Sequence, residues 1–348
     1  MSVYQTSLYS EIDYEADGRQ IGRLSLPWSV TRSAYGVIPI PIAVIKNGKG
    51  PTALLMAGNH GDEWEGQIAL GKLIRSLEAS DIAGRVIILP SANLPAARAG
   101  LRVSPLDGGN LNRTFPADPA HGPTWQIAHY IEHHLMPMAD VFVDLHSGGA
   151  SLDYVPFVGV SMIGNPDHDR RAYAAMRAFG GPFGQIYDAS AGLSAPTGAG
   201  STAGGAAVRQ GCIDIGGEFG GRAVVDPAHL GLVERGLRNL LAHLGITPGV
   251  AEEPPAPMRL MTSDPANLYI FAPDYGVFVP SVRLGDTVKA GDLAGEVHAI
   301  EHPEKVPVPV RFRADGLLIC VRAVGRVEPG DCLGHLAIDI DEPRFEQP

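Results

Sequence analysis

A histidine and a carboxylate stand three residues apart, as His60 and Glu63, in the segment Gly58-Asn-His-Gly-Asp-Glu63. The apolar run Thr52–Met56 precedes them and has the pattern of a buried strand. Imidazole and carboxylate are both zinc ligands, and a loop at the mouth of a strand can aim them at one ion. This pair is therefore the first candidate for a metal site.

Two other pairs share this spacing, His129 with Glu132 and His298 with Glu301. The first lies in Trp125–Met136, which has the pattern of an amphipathic helix, and we expect it on the solvated face of that helix. The second lies among short strands near the C-terminus, where we expect a surface pair. Neither pair has the strand-then-glycine context of the first candidate.

Two further strand ends offer a histidine and a glutamate. Asp140–Leu145 reads as a strand that runs into His146, and Gly211–Ile215 reads as a strand that runs into the glycine-rich segment around Glu218. In open α/β sheets, ligands collect outside the carboxyl ends of the strands. Two histidines and one carboxylate leave zinc with an open position for water, and a separate glutamate can take that water's proton. The parts of a zinc hydrolase are thus present.

Four motifs resemble those of the succinylglutamate desuccinylase/aspartoacylase family, a branch of the zinc carboxypeptidase superfamily. They are Gly58-Asn-His-Gly-Asp-Glu63, Asp107-Gly-Gly-Asn-Leu-Asn-Arg-Thr-Phe-Pro116, Asp144-Leu-His-Ser-Gly-Gly149 and Gly217-Glu-Phe-Gly-Gly221. The match runs in order over residues 50–245. The residues of these motifs are most similar to those of the ectoine-degradation deacetylases, which remove the acetyl group from N-alpha-acetyl-2,4-diaminobutyrate.

The resemblance implies a catalytic role for the residues at the strand ends. It implies one zinc ion per chain, bound by His60, Glu63 and His146. It also implies that Glu218 is the general base and later the proton donor.

The same resemblance implies substrate contacts. Asn112 and Arg113 would hold the carboxylate of the substrate, and Arg102 is a candidate for polarising the scissile carbonyl. A planar guanidinium can grip a carboxylate with two parallel hydrogen bonds, which fixes the orientation of a small molecule. The chain departs from many relatives in having Asn110 where they have aspartate, and the spacing from Arg102 to Arg113 is longer than in aspartoacylase.

Asp144 lies two residues before His146, so strand alternation turns both side chains to the same face. There Asp144 either orients the histidine or caps a loop as a buried carboxylate. The sequence leaves these two alternatives open.

We interpret the chain as a zinc-dependent amidohydrolase that removes an N-acyl group from a small amino acid with a free carboxylate. The resemblance of the motifs to those of the ectoine-degradation deacetylases implies N-alpha-acetyl-2,4-diaminobutyrate as the substrate. Succinylglutamate desuccinylase or aspartoacylase proper is one enzymatic alternative, and an aminopeptidase with a pocket for whole peptides is another. A non-catalytic metal-binding scaffold is the alternative from a different class, and the intact set of histidines and glutamates argues against it.

Composition is that of an ordinary globular enzyme. The chain has 348 residues, of which 45% are hydrophobic and 19% charged, enough for a sizeable core. The net charge of −11 argues against nucleic acid or an anionic membrane as the main partner. No apolar run is long enough for a membrane span, and the N-terminus lacks the pattern of a signal peptide. A homo-oligomer is compatible with the sequence.

Three cysteines without Cys-x-x-Cys spacing predict a reducing, cytoplasmic location. Cys212 lies in a predicted core strand, and we expect it to pack as a small hydrophobic side chain rather than to act as a nucleophile.

Strand and helix patterns alternate along the first two thirds of the chain. The predicted strands are Val37–Lys46, Thr52–Met56, Arg85–Pro90 and Asp140–Leu145, and the predicted helices are Glu65–Leu77, Thr124–Met136 and Asp226–Leu244. This alternation predicts a three-layer α/β domain, of the zinc-carboxypeptidase-like kind that the family resemblance implies, with a mostly parallel mixed sheet. A leucine-rich stripe in the last helix is typical of core packing.

We expect three regions along the chain: a zinc hydrolase domain over 1–247 with a β-rich N-terminal segment 1–50, a proline-rich linker 248–257, and a β-rich C-terminal domain 258–348. Within the first region, the small-residue segment 189–205 either forms a wall or lid of the site, the alternative we favour, or is a linker that ends at a Ser201/Thr202 helix cap.

The C-terminal region contains a repeat. Val282-Arg283 recurs as Val321-Arg322, and each copy is followed by a similar glycine-aspartate turn. Two similar halves predict a small barrel-like sandwich that resembles lipoyl and biotinyl carrier domains. The hairpin Glu301–Lys305 lacks the motif around a carrier lysine, so we expect this domain to narrow the active-site entrance or to mediate oligomerisation.

Overall fold

The computed structural model describes residues 6–189, 199–252, 256–263 and 266–343. Within these ranges the chain has a mixed α/β fold with one large sheet and a smaller four-stranded sheet. Among the helices of these ranges, none combines the length and the apolar character that crossing a membrane requires.

The strands in chain order are β1 (Tyr9–Ser10), β2 (Gly18–Pro27), β3 (Val37–Asn47), β4 (Thr52–Ala57), β5 (Gly84–Leu89), β6 (Val141–His146), β7 (Leu152–Tyr154), β8 (Phe157–Met162), β9 (Phe183–Asp188), β10 (Ile213–Glu218), β11 (Arg259–Thr262), β12 (Tyr269–Phe271), β13 (Gly276–Pro280), β14 (Thr287–Val288), β15 (Leu293–His298), β16 (Val308–Arg311), β17 (Gly316–Arg322), β18 (Arg326–Val327) and β19 (Cys332–Asp339). The α-helices are α1 (Trp64–Ser76), α2 (Leu94–Ala99), α3 (Pro123–Tyr130), α4 (Pro166–Phe179), α5 (Ala203–Arg209) and α6 (Pro227–His243). Short 3₁₀ turns lie at Ala79–Asp81, Leu111–Arg113, Met136–Met138, Ala199–Ser201 and Ala266–Leu268.

The central strands of the large sheet follow the order β3-β5-β4-β6-β10-β8-β9-β11. Pairing is parallel from β5 through β4 and β6 to β10, and again from β8 through β9 to β11. It is antiparallel at β3–β5 and at β10–β8. Strands β4 and β5 are buried along their whole length, because helices cover both faces of the sheet.

Helices α1, α4 and α6 pack on one face of this sheet, and α2, α3 and α5 pack on the other. The leucine-rich stripe of α6 lies in the first of these cores, as expected: Val233, Leu237, Leu240 and Leu241 are buried, and Leu230 and Leu244 pack against them. The layers therefore bring the carboxyl ends of β4, β6 and β10 to one edge.

Polar caps fix where three of the helices begin. The Asn165 side chain accepts from the first turn of α4, and the Asp226 side chain does the same for α6. Each of these caps is followed by proline, whose fixed φ suits the first helical position. The side chain of Thr202 accepts from Gly205 N at the start of α5, so the cap named in the linker alternative for segment 189–205 is present at Thr202.

Most predicted boundaries differ from the structure by one or two residues, but two differences affect function. The predicted helix Thr124–Met136 is not one α-helix, since α3 ends at Tyr130 and a π-helical turn Ile131–Leu135 follows. The strand predicted to end at Ile215 continues to Glu218, because every residue of β10 pairs with β6. Glu218 thus projects from a rigid strand rather than from a loop.

The C-terminal region forms a small antiparallel sheet, in the order β16-β15-β13-β18, and also extends the large sheet. Strand β11 pairs with β9, β19 pairs with β11, and β17 pairs with both β19 and β7. The domain boundaries and the barrel-like closure stay predictions. Residues 253–255 of the predicted linker and 190–198 of the small-residue segment lie outside the described residues.

Candidate metal centre and active site

His60, Glu63 and His146 converge on one point. The Glu63 carboxylate lies between the two rings, with Oε1 at 2.7 Å from His60 Nδ1 and Oε2 at 2.7 Å from His146 Nδ1. One donor atom from each residue fits within a 4.8 Å span, and both His60 and Glu63 are buried. The sequence-predicted ligands therefore form a single group.

Two glycines shape the loop that carries the first ligands. Gly58 follows β4 with φ of +66°, a conformation that favours glycine, and turns the chain out of the sheet. At Gly61 a Cβ atom would lie 2.0 Å from the carbonyl carbon of Ala96, so only glycine permits this approach to α2. Glu63 then takes the N-cap position of α1.

The outer nitrogen of each histidine is also engaged. His60 Nε2 lies 3.2 Å from Asn110 Oδ1, and His146 Nε2 lies 2.9 Å from Asp144 Oδ2. The prediction that Asp144 shares a face with His146 is confirmed, and Asn59 Nδ2 donates to the same Asp144 oxygen at 2.8 Å. With the proton on Nε2, each ring would present Nδ1 to an ion beside Glu63, which is the tautomer that a metal ligand needs.

Sequence reasoning missed Asn59 and Asn110 as supporting residues. Asn59 directly precedes a candidate ligand, and Asn110 lies two residues before the candidate substrate contact Asn112. Those positions were the available signal, but only the fold shows that the Asn110 amide oxygen faces His60.

The charges of the three groups depend on one another. Burial, together with the nearby Arg102, lowers the pKa of His60, although Glu63 acts in the opposite direction. Burial would also lower the pKa of His146, but Asp144 and Glu63 raise it well above the usual value. Burial opposes ionisation of Glu63, yet the two histidines hold the pKa of this carboxyl well below its usual range. The centre thus contains an anionic carboxylate between two histidine rings whose pKa values shift in opposite directions.

These residues fit a zinc ion. Two imidazole nitrogens and a carboxylate form the donor set of a catalytic site that leaves one position open. The Nε2 atom of each histidine already has a polar partner, so the Nδ1 atom of each ring is available to bind the ion.

Glu218 lies opposite His146 in the register of β10 with β6. Within the described part of the chain, its buried Oε2 atom has no hydrogen-bond partner. Burial and the nearby Glu63 raise the pKa of Glu218 to about 8. A carboxyl group with these properties can exchange a proton near neutral pH.

Three polar residues border the centre on the side of the 3₁₀ turn Leu111–Arg113. Arg102 Nη1 lies 3.4 Å from both Glu63 Oε1 and His60 Nδ1, and the Arg102 side chain is 44% exposed. Asn112 Nδ2 lies 3.4 Å from His146 Nε2. Burial and the charge of Arg102 lower the pKa of Arg113. Two such cations can share a carboxylate.

The other two His-x-x-Glu pairs lie away from this centre. The prediction of a solvated face for His129 and Glu132 is wrong, since both are buried and Glu132 Oε1 bonds Arg209 Nη2 at 3.0 Å. The reason is that α5, which carries Arg209, packs against the π-helical turn. His298 and Glu301 lie at the surface, as expected.

Cys212 is fully buried, and its thiol lies 3.2 Å from the carbonyl oxygen of Met136. Burial and two aspartates raise the pKa of this thiol to about 12. The prediction that Cys212 packs as a small hydrophobic side chain is confirmed.

The chain is similar to known proteins over most of its length. Residues 49–244 match the family model of the succinylglutamate desuccinylase/aspartoacylase catalytic domain. The chain is 41% identical over 327 residues to the N-alpha-acetyl-L-2,4-diaminobutyric acid deacetylase of Halomonas elongata, a match that covers 94% of this chain and 93% of that protein.

Two solved structures are similar over almost all of both chains. The product-bound ectoine utilization protein EutE (DoeB) from Ruegeria pomeroyi has a TM-score of 0.89 and 36% identity, and the match covers 96% of this chain and 99% of that one. The succinylglutamate desuccinylase/aspartoacylase from Rhodobacter sphaeroides has a TM-score of 0.90 and 36% identity, with 97% and 100% covered.

Proposed function

Because the chain belongs to the succinylglutamate desuccinylase/aspartoacylase family, we propose that it is a zinc-dependent deacetylase of N-alpha-acetyl-L-2,4-diaminobutyrate. Family membership and the deacetylase relative make it an amide hydrolase that acts on small N-acyl amino acids. The observation that supports the metal is the convergence of His60, Glu63 and His146. The name of the Halomonas relative supports the choice of acyl group and amino acid.

The residues of the centre divide the chemistry among them. A zinc ion bound by His60, Glu63 and His146 would supply a Lewis acid that lowers the pKa of a water and polarises the acyl carbonyl. Glu218 takes a proton from the attacking water and delivers it to the leaving amine. Its buried, unpartnered Oε2 atom supports this role.

The substrate is oriented by the basic side of the site. Arg113 and Asn112 hold its α-carboxylate, which fixes the distance of the amide from Glu218. Arg102 donates to the oxygen that gains negative charge during attack. The 3.4 Å distance between Arg102 Nη1 and Glu63 Oε1 supports this second assignment.

The C-terminal strands, we infer, close into a barrel-like sandwich that narrows the entrance. Support comes from Tyr154, which pairs with β17 and shares a hydrogen bond of 3.2 Å with His335. Burial, with contributions from Cys320 and the nearby Glu218, raises the pKa of Tyr154 well above its usual value. Tyr154 lies three residues before Phe157, the register partner of Glu218, so the contact between β7 and β17 lies close to the catalytic carboxylate.

We further propose that the enzyme works in a reducing cytoplasm, since Cys212, Cys320 and Cys332 are all free thiols. Its partner is a small-molecule N-acyl amino acid, and nucleic acid has no part in its function. Light scattering on the purified protein decides between a monomer and a homo-oligomer.

The test is amine release from N-alpha-acetyl-2,4-diaminobutyrate, N-acetylaspartate and N-succinylglutamate, each with zinc-loaded and chelator-treated protein. We expect chelator-sensitive turnover that is fastest with the first substrate. Turnover only of another substrate would replace the proposed acyl group or amino acid. Full activity after removal of the metal, verified by elemental analysis, would refute the zinc mechanism.

A matched pair of variants tests the base. Glu218→Gln removes the carboxylate, and we expect turnover to fall by about 10²–10⁴-fold with the zinc content unchanged. Glu234→Gln makes the same change at a surface residue that pairs with Lys72, and serves as the control. Equal turnover of the two variants would remove Glu218 from the mechanism.

A further inference from the structure

Another carboxylate lies on the same face of the sheet as Glu218. Asp214 precedes Glu218 by four residues in β10, so the two side chains project to one side. The register that pairs Ile215 with Val160 brings Asp214 beside Ser161, whose hydroxyl donates to Asp214 Oδ2 at 3.4 Å. Asp214 is neither a candidate metal ligand nor one of the residues proposed to hold the α-carboxylate, so its carboxylate has no assigned role.

Glycines leave space between the two carboxylates. Gly216 lies midway between Asp214 and Glu218 on the same face, and a Cβ atom there would lie 3.8 Å from its nearest neighbour, a backbone oxygen. On the adjacent strand Gly159 pairs with Gly216, and a Cβ atom there would lie 3.0 Å from the ring of Tyr187. The sheet surface beside Glu218 therefore has a glycine floor and an aromatic side wall, and we call it the trough. Gly204 of α5 closes it over Asp214, since a Cβ atom there would lie 2.5 Å from Asp214 Oδ2.

The trough offers more acceptors than donors. Among the described residues, Asp214 has the Ser161 hydroxyl as a donor, and no lysine or arginine forms an ion pair with it. Gln185, which pairs with Gly159 in the next strand, is buried, and its Oε1 atom accepts no hydrogen bond from any described residue. Burial, with the charge of Asp144, raises the pKa of Asp214 to about 7. A half-buried carboxylate without a cationic partner is stabilised by a cation that arrives with a ligand.

We propose that Asp214 binds the side-chain ammonium group of the substrate, with Gln185 and Ser161 beside it. This inference rests on the proposed function and names the feature that selects a cationic amino acid. An ammonium group offers three hydrogens, which suits a carboxylate, an amide oxygen and a hydroxyl, and the Tyr187 ring adds an electron-rich face.

The dimensions suit diaminobutyrate. Four residues of strand separate the Cα atoms of Asp214 and Glu218 by about 13 Å, and rotation of the two side chains toward each other would shorten the gap between the carboxylates. In an extended N-acetyl-2,4-diaminobutyrate the ammonium nitrogen lies about 6 Å from the scissile carbon, and a charged hydrogen bond adds about 3 Å. An aspartate or glutamate side chain in the same trough would face Asp214 with a like charge.

The test compares two substrates that differ only in charge. N-alpha-acetylnorvaline carries a methyl group where N-alpha-acetyl-2,4-diaminobutyrate carries the ammonium group. We expect kcat/KM of the native enzyme to favour the cationic substrate, and Asp214→Asn to reduce the ratio of the two values by about 10–100-fold. Asp188→Asn is the matched control, because Asp188 lies in β9 next to Tyr187 but projects to the opposite face.

The outcomes separate this inference from the proposed function. If the native enzyme hydrolyses neither substrate, the proposed deacetylase function fails. If the native enzyme prefers the cationic substrate and Asp214→Asn, folded by circular dichroism, keeps the same ratio, Asp214 is not the ammonium site. A similar fall of the ratio in Asp188→Asn would mean that general surface charge, and not a specific contact, sets the preference. Should Asp214→Asn fail to fold, Gly216→Val tests the trough, and an unchanged ratio there also overturns the inference.

Discussion

His335 is a buried histidine at the seam between the C-terminal strands and the catalytic sheet. Its ring stacks on Tyr269 with centroids 4.6 Å apart, and Nε2 shares a hydrogen bond with Tyr154. Cys320 is its register partner on β17. Since none of these neighbours is an anion, burial lowers the pKa of His335 from 6.5 to about 4.

The sign of the effect on stability follows from linkage. Between pH 6.5 and pH 4 the unfolded chain binds a proton at residue 335 that the folded chain does not, so the free energy of unfolding decreases as the pH falls through this window. The two pKa values differ by about 2.5, which corresponds to about 3.5 kcal/mol at about 1.4 kcal/mol per pH unit. About 2 kcal/mol of this loss falls between pH 7 and pH 5.

Urea unfolding at pH 7 and pH 5 measures this term. We expect the native protein to lose about 2 kcal/mol more than His335→Gln between the two pH values, because glutamine does not titrate. His298→Gln removes a half-exposed histidine from the same C-terminal region and is the control. All proteins are compared after chelator treatment, so that proton uptake by the metal ligands contributes equally.

A loss of the same size in the native protein and in His335→Gln would refute the reasoning. It would mean that the folded protein admits the proton, either because water reaches the ring or because the seam opens locally before the chain unfolds.

Two further predictions concern the ligand support and the core. Asn110→Ala removes the partner of His60 Nε2, and we expect zinc affinity to fall by about 10–100-fold in competition with a chromophoric chelator; an unchanged affinity would show that His60 needs no such support. Gly236→Ala adds a Cβ atom 2.2 Å from the Phe179 ring, and we expect it to lower the free energy of unfolding by about 1–3 kcal/mol in urea. Gly231→Ala in the same helix meets no atom within 4 Å and should be neutral or stabilising, so equal effects of the two glycine variants would contradict the packing argument.

The grouping of the candidate metal ligands could be predicted from the sequence because these residues follow strands of strongly apolar residues. Such strands are buried at the centre of a sheet, and their carboxyl ends share one edge. This strand pattern alone was enough to predict that His60 and His146 lie together. Asn110 could not be placed in the same way, because it lies on the loop between α2 and α3, which is held by hydrogen bonds from Thr124 to Asp107 rather than by a strand or helix pattern.

The misplaced pair His129 and Glu132 shows the limit of a helical pattern. Hydrophobic spacing identifies the face that contacts the sheet, but it does not reveal a second element that packs on the polar side. Helix α5, rich in small residues, lies there and supplies Arg209 as the partner of Glu132. Tertiary contact therefore overrode the amphipathic signal.

The hydrogen-bond ladder between β9 and β11 makes the C-terminal strands the continuation of the catalytic sheet. Rotation of the C-terminal region as a rigid lid would break this ladder and also the pairing of β7 with β17. Removal of residues 258–343 would leave β9, with its apolar residues, as an open edge able to pair with other chains. The C-terminal region thus protects the enzyme against aggregation, and a shortened catalytic fragment should be hard to keep in solution.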